Sequence, residues 1–130
     1  MKVVDGKNAV MGRLASYVAK ESLRGEDMVV LNCDQVIITG NKKRIVERFE
    51  VLRRKGGNSQ KGPKHLKTSF RIVKRAIRGM LPDHRFGRGR IAFKRIKCYN
   101  GVPPEFEEVK KIVAGKDKTC KFIEVKELTK

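Results

Sequence analysis

The apolar residues near the start of the chain fall into short strand-like runs that flank one helical pattern. Residues 2–5 form a β-prone run, and the run at 28–32 is typical of a buried strand. Between them, apolar and small residues recur with helical spacing, and Gly25 suits the end of that helix. The predicted helical face consists of Met11, Leu14, Ala15, Val18, Ala19 and Ser22. A further β-rich run covers 36–39, and strand, helix and strand within about forty residues predict a βαβ unit with a parallel sheet.

The middle of the chain predicts two more helices, separated by a loop. Asn41 is placed to cap a helix that runs to about Lys55, whereas Ser69 is placed to cap the next one. The apolar face of the first consists of Ile45, Val46, Phe49 and Leu52. The apolar stripe of the second consists of Phe70, Val73 and Ile77, followed by Met80 and Leu81 as expected core residues. Residues 56–68 form a loop rich in Gly, Ser, Asn, Pro and Lys, and a loop of this length indicates a contact with a partner.

The last third of the chain predicts a short helix, a strand and a longer helix. The short helix at 91–93 leads into a strand at 96–99, and turn signals follow it. We expect a helix over 105–114, with Phe106, Val109, Ile112 and Val113 facing inward. Residues 120–128 fit either an edge strand or a loosely held tail, and the pattern does not decide between them.

These elements predict an α/β protein with a small, mainly parallel sheet of about four strands. A chain of 130 residues is long enough to bury a core, so we predict a single domain over 1–130. Within it, 55–68 and 83–90 are predicted basic loop segments, and 115–130 is a C-terminal tail of uncertain role.

Charge divides the chain into three parts. Residues 53–97 hold sixteen bases and one acid, Asp83, which gives this basic segment +15 of the formal net charge of +18. Residues 1–52 and 98–130 are nearly neutral, with nine bases against seven acids and seven against six. Such a concentration indicates a polyanionic partner, either nucleic acid or an anionic membrane surface. The predicted nucleic-acid contacts are Arg53, Arg54, Lys55, Lys61, Lys64, His65, Lys67, Arg71, Lys74, Arg75, Arg78, Arg85, Arg88, Arg90, Lys94 and Arg95.

The spacing of three arginines singles out one helix of the basic segment. Arg71, Arg75 and Arg78 recur at i, i+4 and i+7, so a helix places them in one row opposite its apolar stripe. Surface arginines often pair with acids, yet no acid lies between Glu50 and Asp83. A fixed row of guanidinium groups can make bidentate contacts with successive phosphates, and we favour that interpretation over a solvated helix face.

The run at 85–90, Arg-Phe-Gly-Arg-Gly-Arg, has the composition of an arginine–glycine RNA-binding segment. Its glycines are expected to let the backbone approach a phosphate closely. Between this run and the arginine row, residues 78–82 are predicted to act as a hinge that buries Met80 and Leu81 and directs the two basic arms.

Several function classes are disfavoured by the sequence. No apolar run approaches the roughly 20 residues of a spanning helix, and Asp5 interrupts the only short apolar run of a candidate secretory signal. Nucleotide-binding glycine motifs are absent, and Cys33, Cys98 and Cys120 lack metal-ligand spacing and are expected to be reduced thiols, some of them in the core. His65 and His84 each stand among cations that disfavour their protonated forms. We therefore predict no enzyme activity, cofactor, metal or small-molecule substrate.

Several motifs resemble those of one ribosomal protein family. They are Val3-Val4-Asp5-Gly6, Met11-Gly12-Arg13-Leu14-Ala15-Ser16, Ile38-Thr39-Gly40, Lys61-Gly62-Pro63-x-His65, Arg78-Gly79-Met80-Leu81-Pro82 and Tyr99-x-Gly101-x-Pro103. In this order and spacing they are similar to the signatures of large-subunit ribosomal protein thirteen, over roughly residues 2–113. The loop at 61–65 and the Gly-x-Pro-Pro ending resemble the archaeal and eukaryotic branch of that family.

This resemblance implies a three-layer α/β/α fold, in which helices cover both faces of a small, mainly parallel sheet of about four strands. It also implies a non-enzymatic protein that binds large-subunit ribosomal RNA and supports subunit assembly. It implies neighbouring large-subunit proteins as partners and a cytoplasmic location in the ribosome, with no membrane partner and no homo-oligomer. Two alternatives remain at this point. One is a free-standing nucleic-acid-binding regulator with the same basic face, and the other is an RNA-processing enzyme with an unrecognised site.

Overall fold

The first strand, helix and second strand form the βαβ unit that the apolar pattern predicts. In a computed structural model, which describes residues 1–56 and 61–130, β1 (Lys2–Asp5), α1 (Met11–Leu23) and β2 (Met28–Leu31) follow one another. Strands β1 and β2 are parallel, with Val3 opposite Val29. Helix α1 buries Leu14, Ala15, Val18, Ala19 and Ser22, as predicted from their spacing. The chain leaves the helix through Gly25, whose φ of +101° favours glycine.

Two further strands complete a parallel sheet of four. Strand β4 (Ile96–Cys98) pairs with β2, and β5 (Lys111–Val113) pairs with β1, so the order across the sheet is β4-β2-β1-β5. The α/β class and the mainly parallel sheet of about four strands are therefore confirmed. β3 (Ile37–Thr39) lies outside this sheet and pairs antiparallel with β6 (Phe122–Glu124).

The other helices are α2 (Lys42–Arg54), α3 (Ser69–Gly79) and α4 (Gly87–Lys94). The predicted Asn41 cap is confirmed, because its side chain accepts the backbone N–H of Lys43 at 3.0 Å. The predicted Ser69 cap is wrong. Thr68 occupies the cap position, and Ser69 is a buried first-turn residue. Residues 61–68 carry no helix or strand, and the part of the predicted loop at 57–60 lies outside the described residues.

The two faces of the parallel sheet are covered differently. On one face, Val4 and Val30 of the sheet pack with α1 and α3 in the main core, which includes Val18 and Val73. On the other face, Val3, Val29 and Leu31 pack against Phe106, with Tyr99 and Val102 at the margin. A single-turn 3-10 helix, Pro104–Phe106, therefore supplies the layer on this second face.

The predicted helix over 105–114 is wrong. After the 3-10 turn, Lys111–Val113 becomes an edge strand that pairs in parallel with β1. Without β5, the outer N–H and C=O groups of β1 would lack hydrogen-bond partners, which costs free energy. The helical spacing of residues 105–114 gives no indication of this cost. Of the residues predicted to face inward, Phe106 is buried, but Val109, Ile112 and Val113 are exposed, Val113 to 73%.

The last residues of the chain are packed against the body of the protein. In addition to β6, a 3-10 helix at Val125–Thr129 buries Val125 and Leu128 in the main core. The edge-strand interpretation of 120–128 is thus correct for residues 122–124. Within the segment 115–130, the residues before β6 form an extended stretch, and the residues from β6 onward are part of the fold.

The region between α3 and α4 departs from the predicted hinge. Met80 is 44% exposed, so its assignment to the core is wrong, whereas Leu81 is half-buried against the main core. Because α3 ends at Gly79, Met80 points outward, and its sulfur lies 3.3 Å from Ser16 Oγ on α1.

The predicted loop at 83–90 is also corrected, because α4 already begins at Gly87. Gly89 is buried there, and a Cβ at this position would overlap the carbonyl oxygens of Pro82 and Asp83. This glycine allows close packing of α4 against the preceding chain, whereas the sequence had suggested that it serves an approach to phosphate.

Candidate nucleic-acid interface

Helix α3 holds the predicted arginine row on a well-anchored support. Its inner face buries Ile72, Val73 and Ile77, the last two completely. Phe70 is half-buried at the edge of the same core. Since three consecutive helical turns are anchored in this way, the outer face of α3 has a fixed orientation, and Arg71, Arg75 and Arg78 lie on it.

The members of the row differ in exposure and in their partners. The Arg71 side chain is exposed, with its guanidinium 5.7 Å from the centre of the Phe70 ring. The Arg75 and Arg78 side chains are half-buried, and Nη1 of Arg75 donates a hydrogen bond to the backbone oxygen of Lys64 at 2.9 Å. Arg75 therefore also holds the 61–68 loop against α3.

No base of the basic segment takes part in an ion pair among the described residues. The five ion pairs that form join the N-terminus to Glu26, Lys2 and Arg24 to Glu21, Lys42 to Glu127, and Lys126 to Glu124. All of the bases in them lie outside 53–97. The one acid of the basic segment, Asp83, accepts the backbone N–H of Arg85 at 3.0 Å and has no base as an ion-pair partner among the described residues. The positive charge of the segment is thus not neutralised within the described part of the fold.

A cleft opens between α2, α3, α4 and the 61–68 loop, with the first residue of α1 at its wall. It has a volume of about 450 Å³. Its apolar walls are formed by Met11, Phe49, Leu52, Leu66, Ile72, Ala76 and Phe93. Its remaining lining residues are Lys64, His65, Arg71, Lys74, Arg75 and Arg78. No carboxylate is among them, so an apolar interior is combined with a cationic margin.

The cations around the cleft influence one another and the histidine between them. Burial lowers the pKa of His65 below its usual 6.5, and the positive charges of Arg75, Arg53, Arg78 and Lys55 add to that effect. The His65 ring is therefore neutral at physiological pH, as expected from its cationic neighbours. Burial and the nearby Arg78 also lower the pKa of Arg75, which indicates how closely the row is packed.

Two further bases of the predicted set have structural partners. Nη2 of Arg53 donates to the backbone oxygen of Leu128 at 2.5 Å, so this guanidinium links α2 to the C-terminal segment. The ammonium of Lys74 lies 5.0 Å from the centre of the Phe93 ring, a cation–π contact that joins α3 to α4.

Comparison with known proteins agrees with the motifs. A family model described as ribosomal protein L13 matches residues 1–105. The chain belongs to the ribosomal protein L13 family. It is 43% identical over 133 residues to large ribosomal subunit protein uL13 of Methanocaldococcus jannaschii, with all of this chain and 96% of that protein covered. It is 45% identical over 132 residues to uL13 of Methanococcus maripaludis, covering 99% and 95% of the two chains.

A third relative, uL13 of Thermoplasma volcanium, is 38% identical over 133 residues, covering all of this chain and 96% of that protein. These relatives are archaeal, which confirms the branch of the L13 family that the loop motifs indicated. As a member of a ribosomal protein family, the chain is a structural constituent and not an enzyme, as predicted.

In this L13 family member, the predicted site residues fall into two groups, those that line the cleft and those that do not. The cleft brings together six of them, Lys64, His65, Arg71, Lys74, Arg75 and Arg78. Arg85, Arg88 and Arg90 are exposed but do not line the cleft. Arg88 and Arg90 are two residues apart on α4 and therefore point to different sides of it. The remaining predicted residues are exposed (Arg54, Lys55, Lys61, Lys67 and Lys94) or half-buried (Arg53 and Arg95).

The apolar part of the site was not predicted. In the sequence, Leu66 is an apolar residue within a basic loop, and this exception was the one signal of an apolar surface there. In the structure its side chain is 47% exposed. Phe49, Ala76 and Phe93 come from three different helices, so only the tertiary structure brings them together. No helix of the described residues is long and apolar enough to cross a bilayer, and these residues hold no group of three or more His, Cys, Asp or Glu side chains arranged for a metal ion.

Proposed function

We propose that the protein works as a structural constituent of the large ribosomal subunit and binds large-subunit ribosomal RNA through the outer face of α3 and the adjoining 61–68 loop. The observation that carries the proposal is the distribution of ion pairs. Every ion pair among the described residues uses bases outside 53–97, although that segment holds half of all Lys and Arg residues in the chain. Unneutralised charge on a rigid support suits a polyanion that the protein meets during assembly.

The arginine row and the loop have different parts in this proposal. Arg71 and Arg78 lie on an anchored helix, so their guanidinium groups can contact phosphates with little loss of conformational entropy on binding. Lys61, Lys64 and Lys67 lie on a loop that Arg75 fastens to α3 at one point, and they follow the contour of the RNA. Arg85, Arg88 and Arg90 extend the basic surface around α4.

Binding of this kind depends mainly on phosphate contacts. Double-helical RNA is recognised by its shape, phosphates and 2′-hydroxyls, and not by base edges in its deep major groove. Neutralising phosphates releases counterions, so the affinity falls steeply and linearly on a log–log plot against salt concentration. We expect neighbouring large-subunit proteins to contact other surfaces of the chain, and we expect the protein to be monomeric outside the ribosome.

The test is charge reversal with a matched control. In one variant Arg71, Arg75 and Arg78 are changed to Glu. In the control three exposed lysines outside the basic segment, Lys20, Lys110 and Lys116, are changed to Glu, which alters the net charge equally. Affinity for large-subunit ribosomal RNA is measured by filter binding over a range of salt concentrations. We expect the first variant to lose binding at physiological salt and the control to retain most of it.

Equal losses in both variants would show that total charge matters and that the arginine row does not. Sedimentation then separates a ribosomal constituent from a free-standing regulator. The tagged wild-type protein is expected to migrate with large subunits and to remain there after a moderate salt wash. Its recovery only in the soluble fraction would contradict the proposal.

A further inference from the structure

The cleft beside the arginine row presents a surface that phosphate binding alone does not explain. Phe49 and Leu52 of α2, Ala76 of α3 and Phe93 of α4 expose apolar atoms inside it, and Leu66 covers one side from the loop. A volume of about 450 Å³ falls within the roughly 300–1,000 Å³ that is usual for small-molecule pockets. Leaving such apolar area open to water is unfavourable unless a ligand covers it.

The charge around the cleft decides between the classes of ligand. Five cationic side chains line it, Lys64, Arg71, Lys74, Arg75 and Arg78, and no carboxylate among the described residues does. A purely apolar protein segment would fill the interior but would leave these charges without partners. A nucleotide fits both parts, because it joins a flat apolar base to an anionic phosphate through a flexible sugar.

We propose that the cleft takes one unstacked nucleobase of the ribosomal RNA, while the surrounding cations hold the phosphates on either side of it. This inference rests on the proposed function and specifies it further. Unpaired bases in loops and bulges are the parts of RNA that can leave their stack and insert between side chains.

Two aromatic rings are available to the base. Phe93 lines the cleft, with Lys74 held over its ring and the His84 ring packed against it edge-on at 6.1 Å between centroids. His65 also lines the cleft, and its neutral ring can stack without repelling the neighbouring arginines and can both donate and accept a hydrogen bond at a base edge. Stacking of this type tolerates any base, so the cleft selects an unpaired nucleotide and not a particular sequence.

The test fills the cleft without changing any charge. The variant Ala76→Phe places a ring in the cleft, and Ile91→Phe places the same ring at an exposed position of α4 that does not line it. Affinity for large-subunit ribosomal RNA is measured at several salt concentrations. We expect Ala76→Phe to lower the affinity about tenfold, the size of one lost stacking contact, with the salt slope unchanged, and Ile91→Phe to leave both unchanged.

A second variant guards against misfolding of the first. Leu66→Ala removes one wall from an exposed loop position and spares the core, so it is expected to lower the affinity severalfold while the thermal unfolding midpoint stays at the wild-type value. In parallel, RNA containing 4-thiouridine is crosslinked to the wild-type protein, and the attached peptides are identified by mass spectrometry. We expect a crosslink within 64–78 that Ala76→Phe abolishes.

The outcomes separate the two proposals. If the wild-type protein does not bind the RNA, the proposed function fails. If it binds, but Ala76→Phe and Leu66→Ala bind equally well and no crosslink maps to the cleft, the base-binding inference alone is overturned. In assembled subunits, a crosslink from the cleft to another protein in place of RNA would also overturn it.

Discussion

Helices α1 and α3 lie against each other in the same core but differ in whether their basic residues have acidic partners. Each buries an apolar face, with Val18 on α1 and Ile77 on α3 completely covered. On α1 the carboxylate of Glu21, only 5% exposed, pairs with both Lys2 and Arg24. On α3 four cationic residues lie within eight positions and no acidic residue accompanies them.

The contrast shows that the number of basic residues does not by itself indicate a binding surface. Residues 1–52 have nine bases, and acids are close enough in the fold to hold several of them. A base that has an internal partner contributes to the structure, whereas a base without one remains available to an external anion. The position of the carboxylates therefore separates the structural surface from the proposed RNA-binding surface.

The largest effect is expected for the buried apolar residues, which the two helices have in common. Leu14 of α1 is 2% exposed, and Ile77 of α3 is fully buried. Leu14→Ala and Ile77→Ala should each lower the free energy of unfolding by about 2–5 kcal/mol, because each leaves a cavity in a shared core. Urea denaturation followed by circular dichroism checks this. If only one of the two variants lost stability, the two helices would not both contribute to the core, which would contradict what their burial indicates.

A smaller effect is expected from giving α3 the internal pairing that α1 has. Lys74→Glu places a carboxylate three residues after Arg71 and four before Arg78, within reach of both on the helix surface. RNA affinity should fall by more than the lost charge alone predicts, whereas stability should hardly change. The control Lys74→Gln should reduce the slope of log affinity against log salt by only about 1. Equal slopes for the two variants would contradict internal neutralisation.

Removing the acid from α1 should affect stability and leave RNA binding intact. The hydrogen bond from Lys2, with the positive charges of Lys2 and Arg24, lowers the pKa of Glu21 below its usual 4.5 in the folded protein. Its ionised form therefore stabilises the fold at neutral pH, and this contribution disappears as the pH falls below about 4.5 and through the folded pKa.

Accordingly, Glu21→Gln should unfold at a lower urea concentration than the wild type at pH 7, and the difference between the two midpoints should shrink as the pH falls below about 4.5. RNA affinity at pH 7 should be unchanged. A midpoint difference that does not shrink at all between pH 7 and pH 3 would attribute the effect to packing and not to the ion pairs.

The smallest effect concerns His65 beside the arginine row. Burial and the neighbouring arginines lower its pKa below 6.5, so the ring carries no charge at pH 7.5 and does not count among the phosphate-binding cations. His65→Gln should leave the salt slope of RNA binding unchanged. A proton NMR titration of the free protein should place its midpoint below 6.5, and saturation with RNA should raise it, because phosphates offset the arginine charges. A midpoint above 6.5 without RNA would argue against the packed row.

The parts of the fold that could be predicted are those with a local cause. Helix α1 and strands β1 and β2 follow from short-range periodicity, and the arginine row follows from the 3.6-residue repeat that also places Ile77 inward. Family membership could be predicted as well, because its motifs are short and contiguous.

The remaining features depend on residues that are distant in sequence. Strand β5 forms because β1 has an open edge over a hundred residues earlier, so the helical spacing of 105–114 was misleading. Met80 is exposed because α3 ends one residue before it. The cleft needs side chains from four helices and a loop, and no single window of sequence contains them.

The attachment of the C-terminal segment has a consequence for the order of events during synthesis. Strand β6 pairs with β3, Lys42 forms an ion pair with Glu127, and Arg53 donates to the carbonyl of Leu128, so α2 is held by residues much later in the sequence. A nascent chain can form β1, α1 and β2 early, whereas these attachments of α2, which supplies one wall of the cleft, require residues 122–128. The surface proposed to receive RNA is thus completed only after residues 122–128 have been synthesised.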